Sequence, residues 1–107
     1  MVWIVDDDPI LADLTARRLR QLGIQAAPRT VLPRRIEPDV GLVIDLSSYQ
    51  SLPPDQQIEV LMTNPIIISG SSRGITRAAP QATGRVDFLL KPVDFEQLAS
   101  LLRHRGS

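Results

Sequence analysis

Four short and largely apolar runs, Val2-Trp3-Ile4-Val5, Val40-Gly41-Leu42-Val43-Ile44, Ile66-Ile67-Ile68 and Val86-Asp87-Phe88-Leu89-Leu90, are each cut off by a charged or hydroxylated side chain. Runs of this length, rich in β-branched residues, read as buried strands. Amphipathic helical stretches separate them, and strands alternating with helices specify a right-handed parallel α/β sheet. Ligands bind such sheets at the carboxyl ends of the strands. The residues that end the runs, Asp6 and Asp7, Asp45, Ser69 and Lys91, are therefore expected on one rim.

The first of these turns is the most heavily charged. Asp8-Pro9 reads as an N-cap followed by a favoured first helical residue, which leaves Asp6 and Asp7 crowded at the strand end. Crowded carboxylates repel unless a cation shares the site, and a hard divalent metal suits them. The competing reading is a solvated turn that only caps a helix.

Residues 9 to 22 place Leu11, Leu14, Leu19 and Leu22 on one stripe, and Gly23 ends that helix. Ile24 to Ala27 is a weakly signalled strand because Pro28 follows it. Pro33 and Pro38 leave room for at most one or two helical turns over 31 to 38. Leu46 to Ser51 reads as a polar loop, and Pro53-Pro54-Asp55 introduces a helix through Ile58, Leu61 and Met62 that Asn64-Pro65 breaks. A helix from about Ile75 meets Pro80. Asp94 to Arg103 carries the best helix signal, with Asp94 as cap, Gln97 at capping-box spacing, Val93 and Leu98 as a staple, and Leu98, Leu101 and Leu102 on the buried face. Residues 104 to 107 read as a frayed end, and His104 is given no role.

The 107 residues suit one domain, 1–107, with a single core. Twelve acids balance twelve bases, so there is no basic footprint for nucleic acid or an anionic membrane. The absence of cysteine excludes disulfides and thiolate metal sites and fits a reducing cytoplasm. No apolar run approaches the roughly 20 residues of a membrane span. All bases but one are arginine; the single lysine is Lys91, whose compact ammonium suits one phosphoryl or carboxylate oxygen. Three carboxylates, a hydroxyl and an ammonium on one rim suit phosphoryl transfer, where positioning and charge neutralisation do most of the work.

Val2 to Pro9, Leu42-Val43-Ile44-Asp45, Ile66-Ile67-Ile68-Ser69-Gly70 and Asp87-Phe88-Leu89-Leu90-Lys91-Pro92 resemble, in order and over the whole chain, the receiver domain of bacterial two-component response regulators. The resemblance implies a flavodoxin-like, doubly wound five-stranded parallel sheet of order 2-1-3-4-5, with helices on both faces and a trimmed second helix. It implies that Asp45 accepts a phosphoryl group from a sensor histidine kinase, a histidine phosphotransfer protein or a small phosphodonor. Mg²⁺ would be held by Asp7 directly, by Asp6 through water, by Asp45 and by the Ser47 backbone carbonyl. Ser69 and the Gly70 amide would hold phosphoryl oxygens, Lys91 would pair with the phosphoryl group, and Phe88 would be the switch aromatic. Output would pass to a protein or effector domain through residues 74–103, with no direct contact to nucleic acid or membrane. Such a chain is a regulatory domain that catalyses only its own phosphorylation and dephosphorylation.

The chain departs from the family pattern in a short Asp7-to-Asp45 interval, in Ser48-Tyr49 after the acceptor, and in Gly70 where alanine is common. These departures keep open a receiver-like binding module that phosphate does not regulate. Asp6-x-Asp8 also resembles the haloacid-dehalogenase-like phosphatases, with Asp6 as nucleophile and Asp8 as general acid. Pro9 and the lack of a second acidic pair after the lysine strand count against that reading.

Overall fold

The computed structural model describes residues 1–79 and 85–105. Five parallel strands, β1 (Val2–Val5), β2 (Ala26–Arg29), β3 (Gly41–Asp45), β4 (Ile66–Ser69) and β5 (Asp87–Leu90), form one sheet of order β2-β1-β3-β4-β5. The helices are α1 (Pro9–Gln21), α2 (Leu46–Gln50), α3 (Pro54–Met62), α4 (Ser72–Ala78) and α5 (Phe95–Arg105).

Strand side chains alternate between faces, so one apolar run feeds two cores. Trp3, Val5, Leu42, Ile44 and Ile67 pack on one side with Leu46, Val60 and half-buried Tyr49 and Phe88. Ile4, Val43, Ile66 and Ile68 pack on the other with Ala16 and Leu19 of α1 and Leu98 and Ala99 of α5. Leu98 is fully buried, and its truncation to alanine would cost about 2–5 kcal/mol.

Local chemistry explains most boundaries. Asp8 caps α1, its Oδ1 accepting from the Ile10 and Leu11 amides at 3.0 and 3.3 Å, with Pro9 at the first helical position. Gly23, at φ +87°, provides the left-handed exit from that helix. Asp94 caps α5 through the Glu96 and Gln97 amides, as its spacing predicts. Asn64 turns the chain at φ 53° after α3, just before Pro65.

Five local expectations are corrected. The strand expected at Ile24 to Ala27 lies at Ala26–Arg29 and contains Pro28. Val2 donates to the Gln25 carbonyl and Asp6 to the Arg29 carbonyl, so Pro28, which has no N–H, falls on the open edge of β2 where none is needed. The trimming expected over 31 to 38 is complete, since turns and bends but no helix join β2 to β3. The stripe of α1 is rotated: Ala12, Thr15, Ala16 and Leu19 are buried, while Leu11 and Leu14 are exposed. Alanines at 12 and 16 present a slim face to the sheet, beside the fully buried Leu19. Finally, Leu46 to Gln50 is a helix rather than a loop, because Asp45 itself caps it. The helix expected from Ile75 starts earlier, capped by Ser71; Pro80, invoked as its break, Gly84, and the terminal Gly106 and Ser107 lie outside the described residues.

Candidate functional site

The carboxyl ends of β1, β3 and β5 bring Asp6, Asp7, Asp45 and Lys91 together. Asp6, Asp7 and Asp45 each offer an oxygen within 4.8 Å of the others. The Lys91 ammonium lies 2.8 Å from Asp45 Oδ1 and 3.4 Å from Asp6 Oδ2. Asp6, Asp45 and Lys91 have the parity of Ile4, Val43 and Leu89, and so lean toward the α1 and α5 side of the sheet. There they border a largely apolar recess of about 510 Å³ that is also lined by Leu11, Leu14, Val93 and Phe95.

Ser69 shares the site's rim but not its contacts. Its parity is that of Ile67, on the opposite face. The Ser69 hydroxyl accepts from the Ser71 amide and donates to the Ser71 carbonyl, both at 3.0 Å, while the Ser69 carbonyl accepts from the Lys91 amide at 2.8 Å. Gly70 is exposed beside it. Phe88 is half-buried and lines a recess of about 180 Å³ with Tyr49, Gln57, Arg77 and Ala78.

The three buried or half-buried ionic groups are not equivalent. Burial pushes the Asp6 carboxyl up, and the Asp8 amide and Lys91 charge only partly oppose this, so its pKa is raised. Burial acts upward on Asp45 too, but hydrogen bonds from Lys91 and Ser47 outweigh it and hold that carboxyl below its usual range. Lys91 loses hydration, yet Asp45 and Asp6 more than offset the loss and hold its pKa above the ordinary lysine value. Asp45 is thus a carboxylate facing an ammonium, which is the form a nucleophilic oxygen requires.

The donor chemistry fits a hard divalent cation: three clustered carboxylates stand against one ammonium. One expected ligand is placed differently. The Ser47 carbonyl accepts from the Ser51 amide at 3.1 Å inside α2, while the Ser47 amide (3.2 Å) and hydroxyl both donate to Asp45 Oδ2. Reading that segment as a loop concealed this arrangement.

Two further residues carry no sequence signal. Gln57 of α3 donates to the Tyr49, Gln50 and Leu52 carbonyls at 3.2–3.4 Å, closing the far end of α2. Gly74 lets α4 approach: a Cβ there would sit 3.0 Å from Leu46 Cδ2 and 3.2 Å from Ser69 Oγ. Only tertiary contacts reveal either role.

No protein-family model and no curated protein matches the chain. Solved structures do. A response regulator receiver protein from Burkholderia phymatum superposes with a TM-score of 0.67 at 22% identity, over 96% of this chain and 91% of that one. A CheY-like response regulator receiver domain protein from Methanospirillum hungatei gives 0.63 at 17% identity, over 97% and 90%. A response regulator from Burkholderia pseudomallei, solved with a phosphorylated aspartic acid, calcium ion and citrate, gives 0.65 at 14% identity, over 99% and 72%. With a five-stranded parallel sheet of order β2-β1-β3-β4-β5 and superpositions that cover nearly its whole length, the chain has the receiver fold of response regulators.

Proposed function

We propose that residues 1–107 form a single phosphoacceptor signalling module in which Asp45 takes a phosphoryl group and thereby alters protein contacts. The observation that carries this reading is Asp45 itself, a buried carboxylate held ionised by Lys91 beside two further carboxylates. In the transfer, an Asp45 oxygen forms a bond to phosphorus as the bond from phosphorus to the donor's leaving atom breaks. Lys91 pairs with the charge that arrives on the phosphoryl oxygens. Asp6, Asp7 and Asp45 would hold Mg²⁺, which when bound would supply charge neutralisation for the same oxygens. The Ser69 hydroxyl and Gly70 amide take phosphoryl oxygens after the hydroxyl leaves Ser71, and Phe88 turns with that movement. Donors are a sensor histidine kinase, a histidine phosphotransfer protein or a small acyl phosphate in the cytoplasm, and output passes through the face of residues 74–103, of which 80–84 lie outside the described residues. The chain is a regulatory domain rather than an enzyme acting on other substrates.

The test is intact mass after incubation with Mg²⁺ and acetyl phosphate, beside Asp45→Asn. One added phosphoryl group, labile to hydroxylamine and absent from the variant, is the expected result. No gain in mass together with no Mg²⁺ binding would instead support a binding module that phosphate does not regulate. That second reading draws on the hydrogen bonding of both Asp45 oxygens and on the inward-turned Ser47 carbonyl. In the phosphatase-like reading Asp8 would be the general acid, whereas here its Oδ1 caps α1 through the Ile10 and Leu11 amides.

A further inference from the structure

Helix α2 is joined to the acceptor at one end and to the Phe88 recess at the other. Its N-cap is the Asp45 side chain, whose Oδ2 accepts from both the amide and the hydroxyl of Ser47. At its far end Tyr49 lines the recess that also holds Phe88, and Gln57 closes the last carbonyls. With only five residues, the helix gains little from its own hydrogen bonds and depends on these two ends. It also carries a cost: Ser48 Oγ is a buried side-chain oxygen without a hydrogen-bond partner among the described residues.

A helical carbonyl points toward the C-terminal end of its helix, whereas the carboxylate of an N-cap lies over the opposite end. The Ser47 carbonyl, bonded to Ser51, therefore cannot face an ion held by Asp45 while α2 is intact. We propose that Ser47 is a positioning residue with two mutually exclusive settings. In one, its amide and hydroxyl hold the acceptor carboxylate and α2 is closed; in the other, the first turn of α2 opens, Asp45 Oδ2 is released, and the carbonyl is free to turn toward the acidic cluster. Cation binding at Asp6, Asp7 and Asp45 draws the chain into the open setting. Opening also frees Ser48 from its unsatisfied position and moves Tyr49 at the wall of the Phe88 recess, a route to Phe88 separate from Ser69. The inference rests on the reading that the acidic cluster takes a divalent cation.

The test is calorimetric Mg²⁺ titration of the full chain together with amide hydrogen exchange of residues 47–51, read with and without saturating Mg²⁺. Mg²⁺ is expected to bind and to speed exchange of the Ser51 amide by about tenfold or more, as expected of a lost helical hydrogen bond. Ser47→Ala, which removes the hydroxyl from Asp45, should bind Mg²⁺ about fivefold more tightly, in line with the loss of a capping interaction, and Ser47→Thr should restore the parent affinity. Ser51→Pro removes the amide donor at an exposed position whose φ of −82° suits proline, and should tighten binding in the same direction if Ser47→Ala folds poorly. Mg²⁺ binding with Ser51 protection unchanged, or with affinity unaltered in both variants, would overturn the two-setting role and leave the phosphoacceptor reading standing. No Mg²⁺ binding in any of these proteins would overturn both.

Discussion

The turns after β1 and β3 solve the same local problem with different numbers of acids. After β1 three aspartates follow in a row, and the last of them, Asp8, caps α1. Asp6 turns inward, accepting from the Asp8 amide at 2.9 Å, and Asp7 remains exposed at the cluster. After β3 there is one aspartate, and it does both jobs: Asp45 ends the strand at the cluster and caps α2. The first turn can therefore bind a ligand without disturbing its helix. In the second, anything that engages Asp45 competes with the hydrogen bonds that start α2.

The largest expected contrast comes from removing the charge at each cap. Asp45→Asn should abolish phosphoryl uptake in the mass assay while the fold survives, because asparagine still caps a helix. Asp8→Asn should leave both fold and uptake in place. Retained uptake in the first variant would move the acceptor elsewhere.

Next in size is Lys91→Met, which strips Asp45 of its ammonium partner. Urea unfolding without metal should show a loss of about 1–2 kcal/mol at neutral pH, because the carboxylates are left partly buried and unpaired. Added Mg²⁺ should restore more stability to this variant than to the parent, and equal restoration would argue that the cluster does not bind the cation.

Asp8→Ala should cost about 1 kcal/mol, the value of a helix cap, with Mg²⁺ affinity within about twofold of the parent. Asp45→Ala should lose a cap and weaken Mg²⁺ binding together. Similar Mg²⁺ losses in both variants would erase the distinction between the two turns.

The smallest effects are in pH dependence. Asp45 has a depressed folded pKa, so its contribution is fully present above about pH 3.9 and disappears as pH falls through the folded value. Asp6 runs the opposite way: its raised pKa means the folded state holds a proton longer, and stability falls as pH rises through that folded value. Asp6→Asn should therefore be more stable than the parent at neutral pH without metal, and the difference should vanish at low pH. Lys91 contributes fully below about pH 10.4 and loses its contribution as pH rises through its raised folded pKa. Denaturation midpoints collected across pH would separate the three.

Legibility in the sequence followed how local the cause was. Strand β1, the Asp8 and Asp94 caps and the Gly23 exit depend on neighbours within a few residues, and each is placed as the sequence implies. The gathering of Asp6, Asp7, Asp45 and Lys91 was legible too, because a parallel sheet brings its strand ends together whatever the helices do. The rotated stripe of α1 was not, since leucine is more hydrophobic than alanine and only the docking of the helix on the sheet puts Ala12 and Ala16 inside with Leu19. Nor was α2, whose segment lacks a strong helical period and forms because Asp45 and Gln57 hold its ends.

By itself, the sequence determined the strand order's raw material, the doubly wound class and the charged rim. Those follow from periodicity, caps and the parity of strand side chains, which act over short distances along the chain. Only the tertiary structure decided that the Ser69 hydroxyl is bonded to Ser71, that Gly74 makes room beside it, and that Asp45 is also the cap of a five-residue helix. Those outcomes depend on which hydrogen-bond partner lies closest once the sheet has assembled.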